Sequence, residues 1–166
     1  DLLRKLYERE TDLAIAYAVP PGSALGHRRL GAGELVVLYR EADMPDAPAR
    51  VDIGVLEGRP LITLAASGPI GHLFTAEVQG RSLVLDEVVS ARTFHIATAL
   101  VRQGVGLTVV DNFTALASLG PGLAMRPLAN PLRFDVNAMY LHDRPPPALA
   151  TDFLKALARK IEAISG

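Results

Sequence analysis

The chain of 166 residues contains no cysteine, which removes a disulfide framework, a thiolate metal site and a cysteine nucleophile together. It also lacks an excess of charge. Seventeen Lys and Arg stand against 18 Asp and Glu, for a formal net charge of −1. A nucleic-acid surface needs a clustered positive field, and beyond Arg28-Arg29 the sequence shows no basic patch; that pair reads as two solvated side chains. No apolar run approaches the ~20 residues that span a bilayer. The charged opening "DLLRKLYERE" does not read as a signal peptide. An initiating Met is missing as well, while Leu2, Leu3, Leu6 and Tyr7 already fall at helical spacing. The chain is therefore expected to start at or inside a helix, as a piece of something longer.

What is present is apolar: 49% of the residues, enough to build one ordinary domain or two small lobes. The first helix is expected to end near Thr11-Asp12, with "LAIAY" (13–17) as a short buried strand. "VPPGSALGHRR" reads as a Pro/Gly-rich connection without regular structure, and "GELVVLYRE" (33–41) as a central strand. "ADMPDAPARVD" is a loop.

A theme then repeats. The strand "PLITL" (60–64) turns into a helix with Ser67 or Gly68 as N-cap, Pro69 in its first turn, and an apolar face of Ile70, Leu73, Phe74 and Val78. The strand "SLVLDEVVS" (82–90) leads to the helix "ARTFHIATALVRQ", with Ser90 as the expected cap and Gly104 as the stop. The strand "VGLTVV" (105–110) leads to "FTALASL", capped by Asp111 or Asn112 and closed by Gly120-Pro121-Gly122. "LAMRPL" reads as an edge strand and "RFDVNAMYLH" (133–142) as a longer one. After three prolines comes a final helix with Leu149, Phe153, Leu154, Leu157, Ile161 and Ile164 at spacings of three and four. Strands alternating with helices predict an α/β fold with a mostly parallel sheet.

The polar residues collect where buried strands become helices: at Ser67, at Ser90 and at Asp111-Asn112. In open α/β sheets, ligands sit beyond the carboxyl ends of the strands. Helix N-termini there favour carboxylate, phosphate or carbonyl oxygens, whereas the Asp111 carboxylate favours an amine or a hydroxyl. The plainer reading makes all three ordinary caps, worth about 1 kcal/mol each.

Enzymatic readings find less support. Ser90 and His95, the natural members of a triad with Asp86, are five positions apart and would project about 140° from one another on a helix. No G-x-S-x-G elbow exists. His27, His72, His95 and His142 have no ligand spacing for a metal. "GVGLT" precedes its strand, the wrong context for a dinucleotide loop. No catalytic residue, metal site or cofactor is expected.

The order "DLAIAY", "LGAGELVVLYRE", "LEGRPLITL" and "VVSARTFHIATALVRQGVGLTVVDNFTA" resembles the effector-binding domain of LysR-type transcriptional regulators. "ALVRQGVGLTVVDNFTA" is the most specific part. The resemblance implies two Rossmann-like lobes of the type 2 periplasmic-binding-protein kind, joined by two strands crossing near Val36–Tyr39 and Phe134–Ala138. Residues 38–136 would form the second lobe. Residues 1–37 and 137–166 would form a remnant of the first, which lacks its opening strand, helix and strand; the winged helix-turn-helix and the linker helix are also missing.

Carried over residue by residue, effector contacts would fall on Ala66, Ser67 and Gly68, on Val89, Ser90 and Thr93, and on Asp111 and Asn112. Tyr17 and Asn137 would add contacts from the first lobe. The family often has Pro where this sequence has Asp111; its Asp-Asn-Phe-Thr version resembles members that respond to amino-acid-like effectors. The resemblance also implies a cytoplasmic homodimer or tetramer that binds a small-molecule effector and reaches DNA only through the missing N-terminal domain, with no membrane partner. Helix 92–103 and strands 60–64 and 82–90 offer apolar edges for the subunit contact. A solute-binding protein of a transport system, with the same bilobal fold, is the alternative.

Overall fold

Strand β5 (Leu107–Asp111) is buried at all five positions, its polar Thr108 and Asp111 included, as befits a strand with neighbours on both sides. It is the centre around which the larger part of the chain is built. The structure, a computed structural model, describes residues 2–64 and 68–165. They form two compact units, residues 34–133 and residues 1–33 with 134–166.

In the unit of residues 34–133, β5 pairs antiparallel with β2 (Leu25–Arg40) and parallel with β3 (Pro60–Leu64). Strand β3 pairs parallel with β4 (Asp86–Ala91), and β6 (Leu123–Pro127) runs antiparallel along the other side of β2. The sheet is thus mixed, which corrects the mostly parallel expectation. β2 meets β5 and β6 through connections much longer than a hairpin, and such connections leave strand direction undetermined by local periodicity. The β3–β4 ladder pairs Leu61 with Glu87 but Ile62 with Val89, so Val88 is an extra residue, a β-bulge.

One face of this sheet carries Val36, Leu38, Ile62 and Val110. These pack with Ala97 and Val101 of α3 (Phe94–Arg102) and Ala115 of α4 (Asn112–Ser118) into a single apolar cluster. Phe94 and Leu100 close its edge. Burial of each aliphatic side chain contributes about 1.5–3 kcal/mol. Thr108 is fully buried on the same face, and its hydroxyl donates to the Ile62 carbonyl at 2.9 Å.

The opposite face carries Leu61, Thr63 and Val109. Together with Ile70, Phe74 and Val78 of α2 (Gly68–Gly80) they line a cavity of about 400 Å³. At the other end of the parallel strands, the Arg40 guanidinium holds Asp43 through two hydrogen bonds of 2.9 and 2.7 Å. This contact keeps the Asp43 carboxyl below the usual carboxylate range, with burial opposing. Gly104, which ends α3 at φ +78°, lies against the same guanidinium.

The other unit contains α1 (Leu2–Tyr7), β1 (Ala14–Ala16), β7 (Arg133–Leu141) and α5 (Ala148–Ser165), together with the first half of β2. β1 pairs antiparallel with β7, which lies between β1 and β2. Leu6, Ala14, Leu25 and Met139 form its apolar cluster.

Several elements depart from expectation. α1 ends at Tyr7 rather than near residue 11, because Arg9 turns left-handed (φ 59°) and the Glu10 N–H closes back on the Lys5 carbonyl. Residues 25–29, expected in an irregular connection, are strand: Gly26 lies under the Tyr140 ring and Gly31 under Ile161, so neighbouring side chains fill what the glycines leave open. β4 begins at Asp86, not 82, and runs on to Ala91. On α5, Leu154 and Ile161 are buried, but Leu149 and Phe153, expected on the same apolar face, are exposed.

Candidate functional site

β5, β3 and β4 run side by side in one direction. Ile62 is level with Thr108 and Leu64 with Ala91, so the three strands end at the same edge of the sheet. That edge is where an α/β sheet offers its binding groups, and Ser90 and Asp111 are set there by their strands.

Asp111 ends β5 and caps α4: its Oδ1 accepts from the Thr114 N–H at 2.9 Å. Its residue is 0% exposed, and Oδ2 meets no hydrogen-bond partner among the described residues. Asn112, nearly buried, accepts the Glu34 N–H on its Oδ1 at 3.2 Å. Of the two residues expected to cap this helix, Asp111 does so.

Ser90 is not the cap of α3. It is still in β4, paired with Thr63, and its Oγ accepts a hydrogen bond from the Thr63 hydroxyl at 3.2 Å. The cap is Thr93, whose hydroxyl accepts from the Ile96 N–H at 3.2 Å. The extra residue Val88 sets Ser90 opposite Thr63 instead of Leu64, and β4 runs on to Ala91 before the helix starts. Val89 points the other way and packs against the apolar cluster under α3. Gly68 opens α2 at φ +59°. Ala66 and Ser67 lie outside the described residues.

In the other unit, Tyr17 follows β1 and its ring packs on Phe134, centroids 4.7 Å apart and tilted by 57°. Asn137 is buried in β7 opposite Ala16. The structure therefore brings Ser90, Asp111 and Asn112 to one sheet edge, with Thr93 a turn beyond it, and places Tyr17 near Asn137 within its own unit.

Sequence reasoning missed Thr63, the hydroxyl that pairs with Ser90. Its signal was a Thr near the end of the otherwise apolar run "PLITL". It also missed the space beneath α2. A second, smaller cavity of about 210 Å³, lined by Asp43, Arg59, Pro60, Gly104, Gly106 and Leu107, opens at the starting ends of β3 and β5. Among the described residues no group of three or more His, Asp or Glu could hold a metal ion, and no helix is long and apolar enough to cross a membrane. Ser90 bonds Thr63, so its hydroxyl is engaged with a group that cannot act as a base.

The family described as LysR substrate binding domain matches residues 1–162. The HTH-type transcriptional regulator DgcR of a Pseudoalteromonas species is 31% identical over 161 residues, covering 97% of this chain. This chain spans about half of that relative, 55% of its length. Among solved structures, PA01 of Pseudomonas aeruginosa, a LysR family regulator, superposes with a TM-score of 0.80 at 19% identity, covering 97% of this chain and 57% of that one. The regulatory domain of Synechocystis CcmR in complex with 2-PG gives 0.76 at 16% identity, covering 99% and 80%. The reduced OxyR regulatory domain of P. aeruginosa gives 0.75 at 20%, covering 96% and 77%. At these identities the superpositions speak for the fold, which is the α/β fold of LysR regulatory domains, of the periplasmic-binding-protein-like type. The relatives are transcriptional regulators, which favours a regulatory domain over a transport protein. By the extent of the family match and by its likeness to the DgcR sequence, this chain is an effector-binding domain and belongs to the LysR substrate-binding domain family.

Proposed function

We propose that this chain senses a small polar metabolite and passes its bound state to a DNA-binding domain carried elsewhere in the same polypeptide. The observation that carries the reading is family membership over residues 1–162. The sheet edge supplies the chemistry. Gly68, Val89, Ser90, Thr93, Asp111 and Asn112, with Ala66 and Ser67 between β3 and α2, are the effector contacts of the larger unit, and Tyr17 and Asn137 are those of the smaller one. A regulatory domain of this fold, CcmR, was solved holding the small molecule 2-PG, which supports a ligand of that size here.

The effector acts by binding one state of the regulator more tightly than another, and its influence cannot exceed that difference. No bond is made or broken, so the protein is not an enzyme. It works in the cytoplasm as a dimer or tetramer, and the exposed Val84, Val88 and Ile96 on and beside β4 and α3 suit a subunit contact. DNA is reached only through the separate domain, in keeping with the absence of any excess of positive charge in this chain, formal net charge −1.

The test is an operator-binding titration of the complete native polypeptide with and without candidate effectors, beside the 166-residue chain alone. The expected result is effector-dependent DNA binding by the former and none by the latter. Tight, salt-sensitive DNA binding by the chain alone would sink the reading.

A further inference from the structure

β5 ends on a carboxylate of which the fold uses one oxygen. Asp111 Oδ1 caps α4 by accepting the Thr114 N–H at 2.9 Å. Oδ2 is buried with the rest of the residue and meets no partner among the described residues. The ion pairs found on this chain join other residues, Arg40 with Asp43 and Arg81 with Asp52 among them. An exposed carboxylate would leave its second oxygen to water; an enclosed one bears the full desolvation of that oxygen until a donor arrives. The helix N-terminus favours a carboxylate, but capping does not explain an enclosed second oxygen. Asn or Ser caps a helix as well as Asp does, with one acceptor and no charge to bury.

The register tells where this oxygen's side chain belongs. Val109 is opposite Val37 and Asp111 opposite Leu35, so Asp111 shares a face with Val109, one step further toward the strand ends. Val109, Thr63 and Ser90 line the cavity beneath α2. Asp111 therefore lies on the cavity's own face of the sheet, at the edge where the Thr63 and Ser90 hydroxyls meet.

We infer that Asp111 determines effector specificity: its Oδ2 accepts a hydrogen bond from a cationic donor, the ammonium group of an effector of the amino-acid or primary-amine class. The inference rests on the effector-binding reading of these strand ends. An ammonium supplies the missing donor and with it a full positive charge, whereas a hydroxyl supplies only the donor. Oδ2 is enclosed without ligand, so pairing requires displacement of whatever covers it. Ligand pairing is thereby coupled to conformation, which is the property an effector needs.

The experiment uses the complete native polypeptide, wild type and D111N, in thermal unfolding and calorimetric titration. The probes are amino acids and primary amines, each matched with the 2-hydroxy or 2-oxo acid or the alcohol of the same carbon skeleton. D111N keeps Oδ1 for the Thr114 cap and replaces Oδ2 with an amide donor. An amino compound should bind the wild type at least about tenfold more tightly than its deaminated partner. D111N should abolish that preference while unfolding, without ligand, at or above the wild-type temperature.

Binding of the amino compound to D111N with wild-type affinity overturns the inference. So does tighter binding of the deaminated partners to the wild type, which leaves the effector-binding reading standing. Binding by neither half of the panel overturns that reading along with the inference. Should D111N fail to fold, D111S, which also caps, is measured in its place; failure of both makes Oδ2 structural and refutes the assignment.

Discussion

Gly106 is the position at which the packing of the sheet can be tested most sharply. It directly precedes β5, where Leu107 pairs with Leu61. A Cβ built there would lie 2.8 Å from the Pro60 carbonyl carbon and 3.2 Å from Pro60 Cβ, with the carbonyl oxygen nearer still. Non-bonded carbons rest at about 3.5–4.0 Å, so β3 and β5 would have to part by roughly 0.7 Å where their pairing begins. The obstacle is backbone, which cannot swing aside as a side chain can. Overpacking of this kind costs about 1–3 kcal/mol. Part of it, about 0.4–1 kcal/mol, is offset because Ala restricts the unfolded chain more than Gly does.

G106A is thus expected to be destabilised by about 1–2 kcal/mol, read as a lower urea midpoint at unchanged slope in far-UV circular dichroism. Gly80, at the end of α2, has nothing within 4 Å of the equivalent Cβ. G80A should be neutral or gain up to about 1 kcal/mol from helix propensity alone. Equal midpoints for G106A and G80A would refute the close approach.

Three further expectations follow from features already described. T93A should lose about 1 kcal/mol with the cap of α3, whereas S90A should lose at most a few tenths; the opposite order in urea unfolding would return the cap to Ser90. V101A, at a fully buried position in the cluster beneath α3, should cost about 2 kcal/mol, and a loss below about 0.5 kcal/mol in the same assay would mean that α3 is not packed there. Asp43 has its carboxyl held low by the Arg40 hydrogen bond, so its contribution is complete above the unfolded-state value of about 3.9 and fades as pH falls through the lower folded value. The wild type should therefore exceed D43N by a constant margin above about pH 5 and converge on it in acid, in a series of melting temperatures; a margin that grows as pH falls would contradict the sign.

Much of this fold could be read from residue pattern. "PLITL" became β3 with its expected ends, since a short apolar run closed by turn residues has few other destinations. Gly104 ends its helix in the left-handed conformation that favours glycine. What escaped depended on partners distant in sequence. "LGHRR" reads as loop because it closes the Pro/Gly-rich stretch "VPPGSALGHRR", yet Tyr140 covers Gly26 and these residues are strand. Arg9 takes a positive φ without being Gly or Asn, and no composition signal marks it. At the candidate site the sequence supplied the capping role of the 111–112 pair, but not the fate of the second Asp111 oxygen, which only the surroundings decide.

The bulge at Val88 has a consequence for how this segment can vary. Side chains along a strand alternate between faces, so one inserted residue inverts the phase of everything after it. Before Val88, Glu87 is opposite Leu61; after it, Val89 falls in step with Ile62 toward the helix α3 side, and Ser90 in step with Thr63 toward the cavity. Delete Val88 and the ladder becomes regular: Glu87, Val89 and Ser90 still stand opposite Leu61, Ile62 and Thr63, and each keeps its face. The strand can therefore lose this one residue without changing what its later side chains face, and Val88 is itself exposed. Related sequences should therefore vary at Val88 and in places lack it, whereas loss of a residue from β3, where every position from Pro60 to Leu64 has a partner in β4, should be rare.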